Sequence, residues 1–156
     1  MSDLLPITIH PNDILRKQTQ AIHVADITKP EMQQFIQKLK ITAEIADGAG
    51  IAAPQVGVSQ RIFVARLGEH KWLTCINPRI LSVSLKKEIG EEGCLSIPHV
   101  FGYVMRHKKI TLEYFDEQGK KRKIKATDMI ARIIQHENDH LHGILFIDKL
   151  VDNIKS

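Results

Sequence analysis

The stretch between Thr127 and Gly143 constrains this chain more than any other. Met129, Ile130, Ile133, Ile134 and Leu141 recur there at helical spacing, Thr127 or Asp128 supplies the N-cap, and Gly143 sits where a C′ glycine belongs. A helix this apolar has to be largely buried, yet it also carries His136, Glu137, Asp139 and His140. Burying several ionisable groups is costly unless they are paired or bind a metal ion. His136 and His140 stand four positions apart, so their imidazoles leave one face of the helix and can grip a single cation. Glu137 lies about 100° round from His136, close enough to touch whatever else that cation holds. The pattern points to metal-assisted hydrolysis with a carboxylate handling protons. The bland alternative is a polar helix end that happens to carry two histidines, and a third ligand elsewhere would count against it.

There are two cysteines, Cys75 and Cys94. A lone pair is a poor disulfide framework, and in a reducing compartment a cysteine is more often buried packing or a metal ligand. Cys94 falls in Glu91-Glu92-Gly93-Cys94-Leu95-Ser96-Ile97-Pro98, just after a strand, in a loop loosened at Gly93 and stiffened by Pro98. By itself it would read as a small buried hydrophobe. A thiolate with two imidazoles, however, leaves a fourth tetrahedral position free, as catalytic metal sites require and structural zinc sites do not.

The rest of the chain predicts an ordinary globule around this helix. Its 156 residues suit one domain. The apolar and charged fractions, 43% and 26%, match soluble globular proteins. No basic region followed by an apolar run opens the sequence and no stretch is long enough to span a bilayer, so a cytoplasmic protein is expected. The net charge of +4 favours an anionic partner without requiring one.

Pro11-Asn12-Asp13 introduces a short helical turn. A helix is predicted over residues 28–46, with a capping box from Thr28 to Glu31, Pro30 in the first turn and Gly48 as C-cap. Residues 48–57 lack the lysine of a phosphate-cradling loop, although their small residues permit close backbone approach. Gln55 alone in that run would read as a surface or turn residue. Short strands are predicted at residues 61–65 and 72–76, the second broken by Asn77-Pro78, and at 80–85 and 109–115. Residues 116–119 form a hairpin turn, and the basic run 120–125 returns as a strand whose lysines protect an edge. No aromatics interleave with that run, so specific nucleic-acid recognition is not expected. Residues 144–147 read as a closing strand.

Three segments carry a resemblance. Gly48-Ala49-Gly50-Ile51-Ala52-Ala53-Pro54-Gln55, Glu92-Gly93-Cys94-Leu95-Ser96 and Gln135-His136-Glu137-Asn138-Asp139-His140 resemble, in order and spacing, the signature motifs of the peptide deformylase family. Asn77-Pro78 and Arg106 also look like family positions. The resemblance implies an α+β fold, a central metal-bearing helix surrounded by mixed and antiparallel β-sheets, with the N-terminal helix packed outside, and one catalytic domain over residues 1–156. It implies Cys94, His136 and His140 as ligands of one divalent ion, Fe2+ as the native ion, and Ni2+ or Zn2+ as replacements. The implied reaction removes the N-formyl group from the formylmethionine of nascent polypeptides and releases formate. Glu137 would move the proton, while Gln55 and the Leu95 N–H would stabilise the oxyanion. Substrate backbone would pair at Gly50 and Gly93, with Ile133 lining the methionine pocket.

Two positions depart from the pattern. Ile51 stands where leucine is usual, a nearly volume-conserving swap. Phe101 stands where some bacterial members carry an arginine near the outer residues of the bound peptide. The helical C-terminal tail that many bacterial members extend, implicated in ribosome docking, is not expected here, and residues 120–125 could substitute electrostatically in a transient ribosome association. Three other readings compete. A zinc endopeptidase would use the same histidine pair and glutamate but would more usually draw its third ligand from downstream, where His142 is too near. A metal-stabilised module binding ribosomal RNA would need no Glu137. A degenerate paralogue would lack part of the catalytic set, all of which is present.

Overall fold

Ile62, Phe63, Val64 and Ala65 are four consecutive residues with no solvent exposure, a pattern a strand reaches only when both of its faces are covered. The computed structural model, which describes residues 4–151, supplies both covers. The strands are β1 (Gly50–Ala52), β2 (Ile62–Gly68), β3 (Lys71–Val83), β4 (Lys87–Cys94), β5 (Ile97–His107), β6 (Lys109–Phe115) and β7 (Lys121–Thr127). Five of them form one sheet in the order β1-β2-β3-β6-β7, and β4 pairs with β5 in a separate ribbon. Each of these strand pairings is antiparallel, and an isolated bridge between Gln20 and Gln60 is parallel.

The helices are α1 (Val24–Ile27), α2 (Pro30–Ile45) and α3 (Asp128–His140). On one face of the sheet, Phe63, Ala65, Leu112 and Ala126 pack with Ala131 and Ile134 of α3. On the other, Ile62 meets Ile27 and Ile36, while Val64 meets Leu39 and Ala43 of α2. The β4–β5 ribbon closes over the remaining side of α3, so this α+β fold has the histidine-bearing helix at its centre and α2 outside.

Several local expectations are corrected. α2 begins at Pro30 rather than Thr28, because the residue before a proline is driven out of the helical region. Lys29 accordingly sits extended at the N-cap without a side-chain cap bond, and Thr28 instead closes α1, so no capping box forms. The left-handed residue after α2 is Asp47, at φ 55°, and Ala46 is the C-cap. Gly48 serves another purpose: a Cβ there would come within 2.7 Å of Leu95 Cδ1.

Asn77-Pro78 does not end a strand. β3 runs through it with a register shift between Ile76 and Arg79. Asn77, at φ 50°, accepts from the Ile22 N–H at 2.9 Å and donates to the Ile22 carbonyl at 2.7 Å. Proline's missing donor is tolerated at such a bulge. Residues 144–147 are not a strand either. Asp148 accepts from the Leu145 N–H at 3.0 Å, and this side-chain-to-backbone bond turns Phe146–Lys149 into a 3-10 turn that buries Phe146. Met129 is exposed rather than part of the core. Gly143 holds φ 73° beyond the end of α3, as its residue type predicts. Among the described residues no helix is long and apolar enough to cross a membrane.

Candidate metal centre

Cys94 is the last residue of β4, at the mouth of a two-residue turn, Leu95-Ser96, closed by its pairing with Ile97. Residues alternate faces along a strand, so Glu88, Gly90, Glu92 and Cys94 all point the same way. That way is toward α3. The ligand atoms offered by Cys94, His136 and His140 lie within 4.8 Å of one another, with Cys94 half-buried and both histidines buried. Cys94 Sγ stands 3.4 Å from His140 Nε2. His136 Nδ1 is 2.8 Å from Glu92 Oε1, which leaves the other ring nitrogen for the cluster. The two imidazoles meet edge-on at 5.1 Å, and the Phe146 ring stacks on His136 at 6.1 Å.

The two imidazoles feel opposite electrostatic effects. Burial opposes protonation of His136, yet its bonds to Cys94 and Glu92 carry its pKa to about 10. Burial and the neighbouring His136 charge push His140 well below the ordinary imidazole value. One thiol and two imidazoles, buried and converging, suit a divalent ion of borderline softness.

Two further groups face the cluster. Glu137 has an Oε1 with no hydrogen-bond partner among the described residues, and burial pushes its carboxyl up to about 7. Gln55, expected on its residue type alone to be exposed, is 1% exposed. Its Oε1 accepts from the Ala52 N–H at 2.9 Å, which fixes the amide so that Nε2 donates toward Cys94 Sγ at 3.4 Å and Ser96 Oγ at 3.2 Å. A small, glycine-rich segment hid this burial in the sequence.

A cavity of about 430 Å³ opens beside these groups. Gly50, Gln55, Gly93, Cys94, Leu95 and Glu137 line it, with Ile133 on its apolar wall. Of the expected metal ligands, catalytic groups and substrate-contacting residues, only His140 is not in that wall; it lies beneath, 1% exposed. Sequence reasoning assigned no role to Glu92 or Arg132. Arg132 had a signal: a lone charge in the apolar run Ile130-Ala131-Arg132-Ile133-Ile134, one helical turn before His136.

Comparisons with known proteins converge on one family. The polypeptide deformylase family model matches residues 4–156. The peptide deformylase of Borreliella burgdorferi is 40% identical over 155 residues, covering 97% of this chain and 91% of that one. The crystal structure of the Thermotoga maritima peptide deformylase superposes with a TM-score of 0.90 at 35% identity, over 95% of this chain and 98% of that one. The Met-Ala-Ser-bound class I type b peptide deformylase of Acinetobacter baumannii does so with 0.92 at 33% identity, over 96% and 100%. Nothing in these likenesses supports the endopeptidase reading.

Proposed function

The chain belongs to the peptide deformylase family and hydrolyses the N-formyl group from nascent polypeptides, and we propose that residues 1–156 form one catalytic domain around a divalent ion held by Cys94, His136 and His140. The observation that carries this reading is the convergence of those three donors beside Glu137 and Gln55 in one cavity. On the family resemblance we take Fe2+ as the native ion; a thiolate and two imidazoles also accept Ni2+ or Zn2+ as replacements. An ion held by Cys94, His136 and His140 would supply Lewis acidity toward the formyl carbonyl and the attacking water.

The chain's own residues do the rest. Glu137 takes the proton from the attacking water and delivers it to the amine nitrogen as the C–N bond breaks, leaving formate and a free N-terminal methionine. Glu137, buried and with one carboxylate oxygen unpartnered among the described residues, is placed for both transfers. Gln55 Nε2, oriented by the Ala52 N–H, and the Leu95 N–H at the tip of the β4–β5 turn donate to the oxyanion. The substrate backbone adds as a strand between the Gly50 and Gly93 edges, and its methionine side chain meets Ile133. The Acinetobacter baumannii relative is bound to Met-Ala-Ser, a short peptide beginning with methionine, which supports a peptide ligand of that kind here.

We infer that the reaction takes place in the cytoplasm, where nascent polypeptides would carry the formyl group. Contact with ribosomes is transient and electrostatic, through the exposed basic edge of β7, without specific nucleic-acid recognition. Co-sedimentation with ribosomes that is indifferent to Lys121→Glu and Arg122→Glu would reject that contact.

The deciding assay loads the protein anaerobically with Fe2+ or Ni2+ and follows formate release from a formyl-methionyl peptide. Turnover by the loaded wild type, reduced about 10²- to 10⁴-fold in Glu137→Gln at unchanged metal content, is expected. A loaded wild type that releases no formate overturns the assignment.

A further inference from the structure

Glu92 lies under the metal centre with both carboxylate oxygens saturated. Oε1 receives Arg106 Nη2 and faces His136 Nδ1, each at 2.8 Å. Oε2 receives Arg106 Nε at 2.9 Å and Arg132 Nη1 at 2.8 Å. Arg132 extends further than this one bond. Its Nη1 also donates to the Val104 carbonyl of β5 at 2.9 Å, and its Nη2 to the Glu88 carbonyl of β4 at 2.8 Å. One guanidinium thus ties α3 to both strands of the ribbon that carries Cys94.

The guanidinium lies flat on Gly90, which pairs with Val104 across the ribbon. A Cβ at Gly90 would come 2.8 Å from Arg132 Cζ, 2.9 Å from Nε and 3.0 Å from Nη2. Any side chain there would lift the guanidinium off its three acceptors.

We propose that Arg132, seated on Gly90, is a positioning residue that sets the spacing between Cys94 on β4 and the two histidines on α3. It acts by two routes. Its bonds to Glu88 and Val104 fix the ribbon's height above the helix, and its bond to Glu92 fixes the carboxylate that orients His136. Partners that orient ligands in this way govern metal affinity as well as rate. Lysine cannot replace the fork, because one ammonium cannot reach three acceptors in the plane the guanidinium occupies.

The proposal rests on the metal centre described above, and the test separates the two. The whole chain, stripped of metal, is titrated with Co2+, reading the dissociation constant and the d–d absorption band, alongside Tm. Wild type that takes up no Co2+, or Cys94→Ser that takes it up unchanged, rejects the centre itself. If wild type binds, Gly90→Ala and Arg132→Met are expected to weaken Co2+ about 10- to 100-fold and to alter the band, with Arg132→Lys between them. In the Ni2+-loaded enzyme Gly90→Ala, which itself lies outside the substrate cavity that Arg132 lines, should lower kcat in step with the altered Co2+ band. Adding Gly90→Ala to Arg132→Met should cost nothing more, since the seat then has nothing to hold. Co2+ affinity and spectrum unchanged in Gly90→Ala and Arg132→Lys, with only Tm lowered, would overturn the proposal and leave Arg132 as a structural brace. Those two milder variants decide the matter if Arg132→Met does not fold.

Discussion

Gly50 and Glu137 are in such close contact that a Cβ on the glycine would sit 2.9 Å from both the Cγ and the Oε2 of the glutamate. The first strand of the sheet therefore forms the rest against which the Glu137 carboxylate lies. Gly50→Ala must displace either that carboxylate or the Val64 carbonyl, which the same Cβ would approach to 2.8 Å. A misplacement on the order of 1 Å at a reacting group costs about 10²-fold in rate. Gly50→Ala should thus lose about that much kcat while keeping its metal, measured by steady-state formate release beside metal analysis.

Gln55 offers a test that distinguishes its two ends. Removing one oxyanion donor lowers kcat about 10²- to 10³-fold. Gln55→Ala should show that loss together with a lower Tm, because the Ala52 N–H loses its buried acceptor, a change of about 1–3 kcal/mol. Gln55→Glu keeps an oxygen for Ala52 but presents an acceptor toward Cys94. It should recover Tm and not kcat; recovery of both would remove Gln55 from the oxyanion site.

Cys94 is half-buried and reaches the substrate cavity, so its thiolate is open to oxidants. Activity of the Fe2+ form is expected to decay in air faster than that of the Ni2+ form, with sulfenic or sulfinic acid at Cys94 and not at buried Cys75. Time courses of formate release and peptide mass spectrometry would check both statements. Equal decay of the two forms would count against iron-driven oxidation.

Glu92 links stability to acid. Burial alone would raise its carboxyl, but the bonds from Arg106 and His136 hold it well below the usual carboxylate range. Between the folded and unfolded values the unfolded chain binds more protons, so stability rises with pH there. The contribution is complete above the unfolded value, about pH 4.3, and is lost as pH falls through the folded one. Tm of wild type should fall steeply below about pH 4, and Glu92→Gln should start lower and fall less. Parallel curves for the two proteins would show that Glu92 is not the group responsible.

The site was more legible in sequence than the frame around it. His136, Glu137 and His140 declare themselves because helix periodicity and the cost of buried charge act on neighbours in the chain. Cys94 and Gln55 needed the motif order as well, since nothing local to them distinguishes a ligand or an oxyanion donor from packing. Residues 144–147 look like a strand to any reading of apolar runs, and only the Asp148 carboxylate turns them. Thr28 looks like a cap until Pro30 imposes its restriction on Lys29. Arg132 stands out as a lone charge, but its role was unreadable: its acceptors are two backbone carbonyls and a carboxylate 28 to 44 residues away, in pairing that the sequence does not announce.

Phe146 stacks on His136 from beyond the end of α3, while the three donors come from the end of β4 and from two turns of α3. No portion of the chain short of His140 holds all three. Uptake of the ion is therefore a gauge of completion. Cobalt colour appearing during synthesis or refolding would report the docking of the β4–β5 ribbon on α3, and a chain halted before His140 would stay colourless however much sheet it had already built.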